Sequence, residues 1–167
     1  MTDRYVVWTP GELAGLTRPL CTPQYPASSI VIHHTCPGTT PGPSDSETPQ
    51  GIHRHHLAAG YGGVGYHFLI DPAGDVWRGR PVWARGAHCR ANNAGRIGVA
   101  LMGNYAAVTP APAMIRSLIN LLEDVQRVYG RLPVLAHRDV PGSSTACPGD
   151  ACMAALERTG LRWGKAI

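Results

Sequence analysis

The run Arg96-Ile-Gly-Val-Ala-Leu-Met-Gly103 has no polar side chain after its first residue. A strand with one wet face alternates apolar and polar residues, whereas a strand without alternation has to be covered on both faces. This run therefore predicts a central strand flanked by other strands, with covering layers above and below. The rest of the chain supplies them. Ser29-Ile-Val-Ile-His33 has three β-branched residues in a row between turn signals and reads as a second buried strand. Residues 65–71 and 75–80 read as a hairpin around the turn Pro72-Ala-Gly74, and residues 134–137 as a last short strand.

Helices fall between these strands. Thr48-Pro49 forms an N-cap and first-turn pair for a helix running to about Ala59, which Gly60 stops. From Pro110 to Tyr129, the residues Ile115, Leu118, Ile119, Leu122 and Val125 recur at the spacing of one helical face, and Gly130 ends the helix. A small C-terminal helix is expected over residues 151–159. Strands interleaved with helices predict an α/β domain with a central mixed β-sheet flanked by helices. At 167 residues, residues 1–167 form one domain. The Pro/Gly/Ser/Thr-rich stretch from Pro37 to Pro49 is a loop within it.

Composition narrows the function. Hydrophobic residues make up 44% and charged residues 16%, a globular balance. A net charge of +4 is mild, the basic residues form no run, and no nucleic-acid motif occurs, which argues against nucleic acid as a partner. No stretch approaches a membrane span, and the first ten residues lack the apolar core of a signal peptide. The expectation is a chain made in the cytoplasm, where disulfides are not the default for Cys21, Cys36, Cys89, Cys147 and Cys152.

Three segments carry candidate metal ligands, each expected to close a strand: Ile32-His33-His34-Thr35, Ala136-His137-Arg138-Asp139 and Thr145-Ala146-Cys147-Pro148. Two imidazoles and a thiolate suit Zn²⁺, and three protein ligands leave a fourth position for water. On spacing alone a second reading stands beside this one: histidines bonded to backbone and a buried cysteine acting as a small hydrophobe. A structural zinc closed by Cys152 or Cys36 is a third.

Further segments occur in order with these: Val64-Gly-Tyr-His-Phe68, Gly86-Ala-His88, Asn93, and Ile97 through Tyr105, followed by His137-Arg-Asp-Val140 and Thr145-Ala-Cys-Pro-Gly149. Together, over roughly residues 28–150, they resemble the type-2 N-acetylmuramoyl-L-alanine amidases, the family of peptidoglycan recognition proteins and phage amidase-type lysozymes. The resemblance implies one catalytic zinc on His33, His137 and Cys147, and hydrolysis of the amide between N-acetylmuramic acid and L-alanine in bacterial peptidoglycan. It implies that Tyr66 and Thr145 assist catalysis and that His56, His88 and Asn93 line the substrate groove. His33 is taken over His34 because the family keeps the first of the pair, and strand parity turns His34 to the other face. His67 is expected to be structural. Arg85, just before Gly86, is expected either to pair with a stem-peptide carboxylate or to be an ordinary solvated arginine. Where some family members carry a glutamate on the central strand, this chain has Ala100, and Gly142-Ser-Ser144 lengthens the loop before Thr145. The family also contains peptidoglycan receptors that have lost the zinc site, the alternative to an enzyme. A monomeric phage endolysin, released onto the wall at lysis, is the expected setting; a bacterial enzyme exported by another route is the other.

Overall fold

The computed structural model describes residues 26–36 and 48–165. Five strands, β1 (Ser29–His34), β2 (Phe68–Ile70), β3 (Val76–Arg78), β4 (Arg96–Leu101) and β5 (Val134–Ala136), form one sheet in the order β3-β2-β4-β1-β5. The unalternating strand β4 occupies the middle. It pairs in parallel with β1 and β2, β1 pairs in parallel with β5, and only the β2–β3 hairpin is antiparallel. Three helices complete the described residues: α1 (Pro49–Ala58), α2 (Pro112–Tyr129) and α3 (Asp150–Glu157). The mixed sheet with helical cover is the architecture expected.

The two faces of the sheet differ in chemistry. Ile30 and Ile32 of β1, Phe68 and Ile70 of β2, and Ile97, Val99 and Leu101 of β4 all enter one cluster with α2 and α3. The buried apolar positions of α2 are Met114, Leu118, Leu121, Leu122 and Val125. Ile115 and Ile119 pack at the edge of this cluster, so the helix is rotated slightly from the face read in the sequence. Each such aliphatic side chain contributes about 1.5–3 kcal/mol on burial. Alternation sends Val31 to the opposite face, where it packs with Cys89 and Val140, and His33 follows it.

Several element bounds are narrower than expected. The hairpin strands cover 68–70 and 76–78 rather than 65–71 and 75–80. Pairing nevertheless continues past them: the Gly79 amide donates to His67 O and the Arg80 amide to Tyr66 O. The break occurs because a side chain replaces the backbone. His67 Nδ1 accepts the Gly98 amide N–H at 2.9 Å, and its Nε2 meets Ala84 O at 3.0 Å. Thr48 caps α1, its hydroxyl accepting the Gly51 amide N–H at 3.0 Å. β5 ends at Ala136, and His137 opens a 3₁₀ turn instead of closing the strand. Within the loop expected over Pro37–Pro49, residues 37–47 lie outside the described residues, as do Cys21 and the segment before residue 26. No helix among the described residues is long and apolar enough to cross a membrane.

His67 makes this core sensitive to acid. Burial lowers its pKa from 6.5 to about 4, so it folds as the neutral ring. The unfolded chain takes up the proton first as the pH falls, and stability is lost from pH 6.5 down to about 4. Its share is at most about 3 kcal/mol. NMR titration should find a His67 ring still neutral at pH 5; a folded-state midpoint near 6.5 would exclude this contribution.

Candidate metal centre

His33, His137 and Cys147 meet on the sheet face opposite α2. Their ligand atoms lie within 4.8 Å of one another, and each side chain arrives by a different local device. β1 parity brings His33, which is fully buried. The end of β5 beside β1 delivers His137, whose ring centroid lies 4.4 Å from that of His33. Cys147 does not close a strand, contrary to the sequence reading; it sits in the turn that precedes α3. Arg138 ties that turn down. Its amide donates to Cys147 O at 2.9 Å, while its guanidinium donates to Ala146 O and, at 2.6 Å, to Asp150.

The spacing suits a tetrahedral ion. Zn–S near 2.3 Å and Zn–N near 2.0–2.1 Å place sulfur and nitrogen about 3.5 Å apart, and Cys147 Sγ lies 3.8 Å from His33 Nδ1. The His34 amide N–H also points at Cys147 Sγ, at 3.3 Å. An N–H donor to sulfur favours the thiolate that a metal requires. Without a metal, burial pushes the Cys147 thiol up to about 12, partly opposed by this N–H and by the Arg138 charge. The His33 ring is held well below 6.5 by burial and by neighbouring His88 and His137. A neutral imidazole is the form that ligates.

A second group of donors shares His33. His88 Nδ1 lies 3.0 Å from His33 Nε2, and Cys89 Sγ lies 3.8 Å from that same nitrogen. The His33 ring therefore stands between two thiols, with Nδ1 toward Cys147 and Nε2 toward Cys89. Nothing in the sequence motifs singled out Cys89. Neither Cys36 nor Cys152 belongs to either group; Cys36 is exposed, and Cys152 is buried in α3 against the core. All four described cysteines are free.

The centre opens into a cavity of about 390 Å³ lined by His33, Tyr66, His88, His137, Thr145 and Cys147, among others. Tyr66 stands with its ring centroid 5.3 Å from that of His33. Burial and the nearby thiols raise its pKa above the ordinary 10, so it remains a phenol and a hydrogen-bond donor. Thr145 reaches the same cavity despite the lengthened loop, and its Oγ1 accepts the Cys147 amide N–H at 3.1 Å. Its O–H proton remains available to donate. Ala100 pairs with His33 across the β1–β4 register and provides no carboxylate there.

The remaining expected residues separate. His56 lies beside Tyr66, ring centroids 5.5 Å apart, with Nδ1 accepting the Gly65 amide N–H at 3.0 Å. His53 Nδ1 does the same for Val64, so α1 holds the segment that carries Tyr66. Asn93 Oδ1 accepts the amides of His88 and Cys89, both at 2.8 Å, and fixes that turn. Asn93 and the exposed Arg85 line a different cavity, of about 460 Å³, together with Trp83 and Tyr129. His34 is satisfied within the core, as parity predicts, its Nδ1 accepting the Tyr105 amide N–H at 3.1 Å.

The model of the N-acetylmuramoyl-L-alanine amidase family (Amidase_2) matches residues 23–150, which takes in His33, His137 and Cys147. The chain belongs to this family. Human N-acetylmuramoyl-L-alanine amidase is 32% identical over 136 residues, covering 77% of this chain and 23% of that protein. Peptidoglycan-recognition protein SC2 of Drosophila melanogaster is 36% identical over 128 residues, covering 73% of this chain and 68% of that protein. Among solved structures, the N-acetylmuramoyl-L-alanine amidase LysC of Clostridium intestinale URNW superposes with a TM-score of 0.71 at 30% identity, covering 85% of this chain and 91% of that one. The chain thus spans about a quarter of the length of the human protein and of its porcine counterpart.

The two thiols that flank His33 are experimentally separable. Metal-free protein titrated with zinc should bind one ion, and Cys147→Ser should weaken that binding by at least about a hundredfold. Cys89→Ser should leave it unchanged. The reverse ranking of the two variants would move the centre to His88 and Cys89.

Proposed function

We propose that the chain is a zinc-dependent N-acetylmuramoyl-L-alanine amidase that hydrolyses bacterial peptidoglycan. The observation that carries this reading is the set of His33, His137 and Cys147 donors at the base of an open cavity, with a protonated Tyr66 beside them. A structural zinc is normally closed by a fourth protein ligand, and among the described residues this set has three. A receptor that only binds the wall has no need of a thiolate at Cys147 or of a phenol held against His33.

A zinc ion held by His33, His137 and Cys147 would lower the pKa of a water to about 7 and polarise the scissile carbonyl. The chain's own residues supply the rest. Water adds to the carbonyl carbon of the lactyl group, the carbonyl oxygen takes up the negative charge, and the bond to the L-alanine nitrogen breaks. The proton that the water gives up ends on that nitrogen, which leaves as the amine, and the lactyl carbonyl becomes a carboxylate. The Tyr66 O–H, facing the cavity, donates a hydrogen bond to the developing oxyanion. The Thr145 hydroxyl adds a weaker, neutral one. With Ala100 beside His33, no carboxylate on β4 takes the proton from water.

Arg85, lining a separate cavity with Asn93, is assigned to the peptide arm of the substrate. Its exposed guanidinium suits a stem-peptide carboxylate. The wall lies outside the cytoplasm, so the enzyme acts after release at lysis or export. The similarity to an endolysin amidase of Clostridium intestinale URNW (TM-score 0.71, 30% identity, 85% of this chain and 89% of that one) supports the first route. The chain is taken to act as a monomer.

Digestion of purified sacculi, followed by mass spectrometry of the new ends, tests the activity. Free L-alanine amino termini should appear, and should vanish with chelator or in Cys147→Ser. New reducing sugars would identify a glycosidase, while binding without cleavage would identify a receptor. In the same assay, Tyr66→Phe should lower kcat about 10²–10³-fold with little change in KM, the usual cost of one oxyanion donor. Thr145→Val should cost less than about tenfold.

A further inference from the structure

Resting on the zinc reading of the His33 centre, we infer that His88 is a positioning residue that fixes the His33 tautomer, leaving Nδ1 bare toward Cys147 and His137. The argument starts at a group with only one hydrogen-bonding option. The carbonyl oxygen of Arg96 can only accept, and His88 Nε2 lies 3.2 Å from it. His88 Nε2 therefore carries the proton. In a neutral imidazole the other nitrogen then has a lone pair and accepts. His88 Nδ1 faces His33 Nε2 at 3.0 Å, so His33 Nε2 must donate, and His33 Nδ1 is left unprotonated. Two ring nitrogens facing each other at 3.0 Å share one proton, so one of them donates and the other accepts.

The surroundings hold His88 in this pose. Its ring lies over Gly98, where an added Cβ would meet the His88 ring at 2.5 Å. Gly86 bounds the ring in the same way, again at 2.5 Å. The amides of His88 and Cys89 are anchored on Asn93 Oδ1. Backbone, ring and carbonyl are thus set before any ligand enters. His88 was expected to line the groove, and it does reach the cavity wall. Both of its ring nitrogens, however, are engaged inward.

This chain also decides between the two donor groups that share His33. With a proton between His33 Nε2 and His88 Nδ1, neither nitrogen offers a lone pair to an ion beside Cys89. The bare His33 Nδ1 faces Cys147 at 3.8 Å. A histidine ligand whose far nitrogen donates to a fixed acceptor is both oriented and made more basic, and loss of such a partner typically costs 10–100-fold in metal affinity.

The test begins on the metal-free wild-type chain. Nitrogen-15 NMR of the imidazoles should show His33 protonated at Nε2 and His88 at Nε2. A proton on His33 Nδ1 would overturn the inference, whatever the zinc affinity. Zinc competition titrations then compare two variants shown by circular dichroism to be folded. His88→Leu, which has no acceptor, should bind zinc 10–100-fold more weakly. His88→Asn, whose Oδ1 takes the place of Nδ1, should recover most of the affinity. Equal weakening in both variants would assign His88 a packing role and overturn the proposal, as would unchanged affinity in His88→Leu. A wild-type chain that shows the expected tautomers but binds no zinc supports the lock and sinks the zinc reading alone.

Discussion

Strand β1 sends consecutive side chains to opposite faces of the sheet, and it has a different use for each face. Ile30 and Ile32 enter the core beneath α2, while Val31 and His33 face the other way. A one-residue slip of β1 against β4 would exchange the two sets. It would put an imidazole under Leu118 and isoleucines into the candidate metal centre. The observed register, with Val31 opposite Gly98 and His33 opposite Ala100, avoids this and puts the smallest residues of β4 on the functional face. Those small residues leave the space that the His88 ring occupies. Core packing on one face thereby sets the site geometry on the other.

The same parallel pairing explains how distant segments converge. β5 adds to the free edge of β1 with Ala136 opposite Ile32, so the residue after the strand emerges beside His33. Arg138 then turns the chain back, holding the Cys147 turn by backbone and side-chain bonds. A ladder that extends only to Ala136 is enough to position His137, because the turn that follows is itself hydrogen-bonded, with the Val140 amide donating to His137 O at 3.1 Å.

The central strand, the amphipathic α2 and the capped α1 were legible because each rests on a local pattern: an unbroken apolar run, a helical period, or a Thr-Pro cap. The convergence of His33, His137 and Cys147 was legible through family motifs, and family position together with strand parity separated His33 from His34. Two features were not. The hairpin was read too long because the His67 side chain stands in for a backbone acceptor, a substitution that no propensity encodes. Cys89 and the inward bonding of His88 depend on a loop folding back over β4, a contact between residues far apart in sequence. Asn93 was singled out for substrate, yet its Oδ1 is occupied by two amides of that loop.

How tightly His33, His137 and Cys147 would hold an ion depends on how firmly they are held before it arrives. An ion that must first reorganise its ligands loses affinity to the cost of ordering them. Here each of the three has a partner outside the centre or a fixed backbone. Cys147 receives the His34 amide, His137 begins a hydrogen-bonded turn, and His33 bonds to His88, which is itself seated on a backbone carbonyl. Tyr66 is held in the same way, since two histidines of α1 accept the amides just before it. Of the eight histidines in the chain, five (His34, His53, His56, His67 and His88) use a ring nitrogen to hold backbone in place. The abundance of histidine in this sequence therefore reflects the scaffold around the centre more than the centre itself.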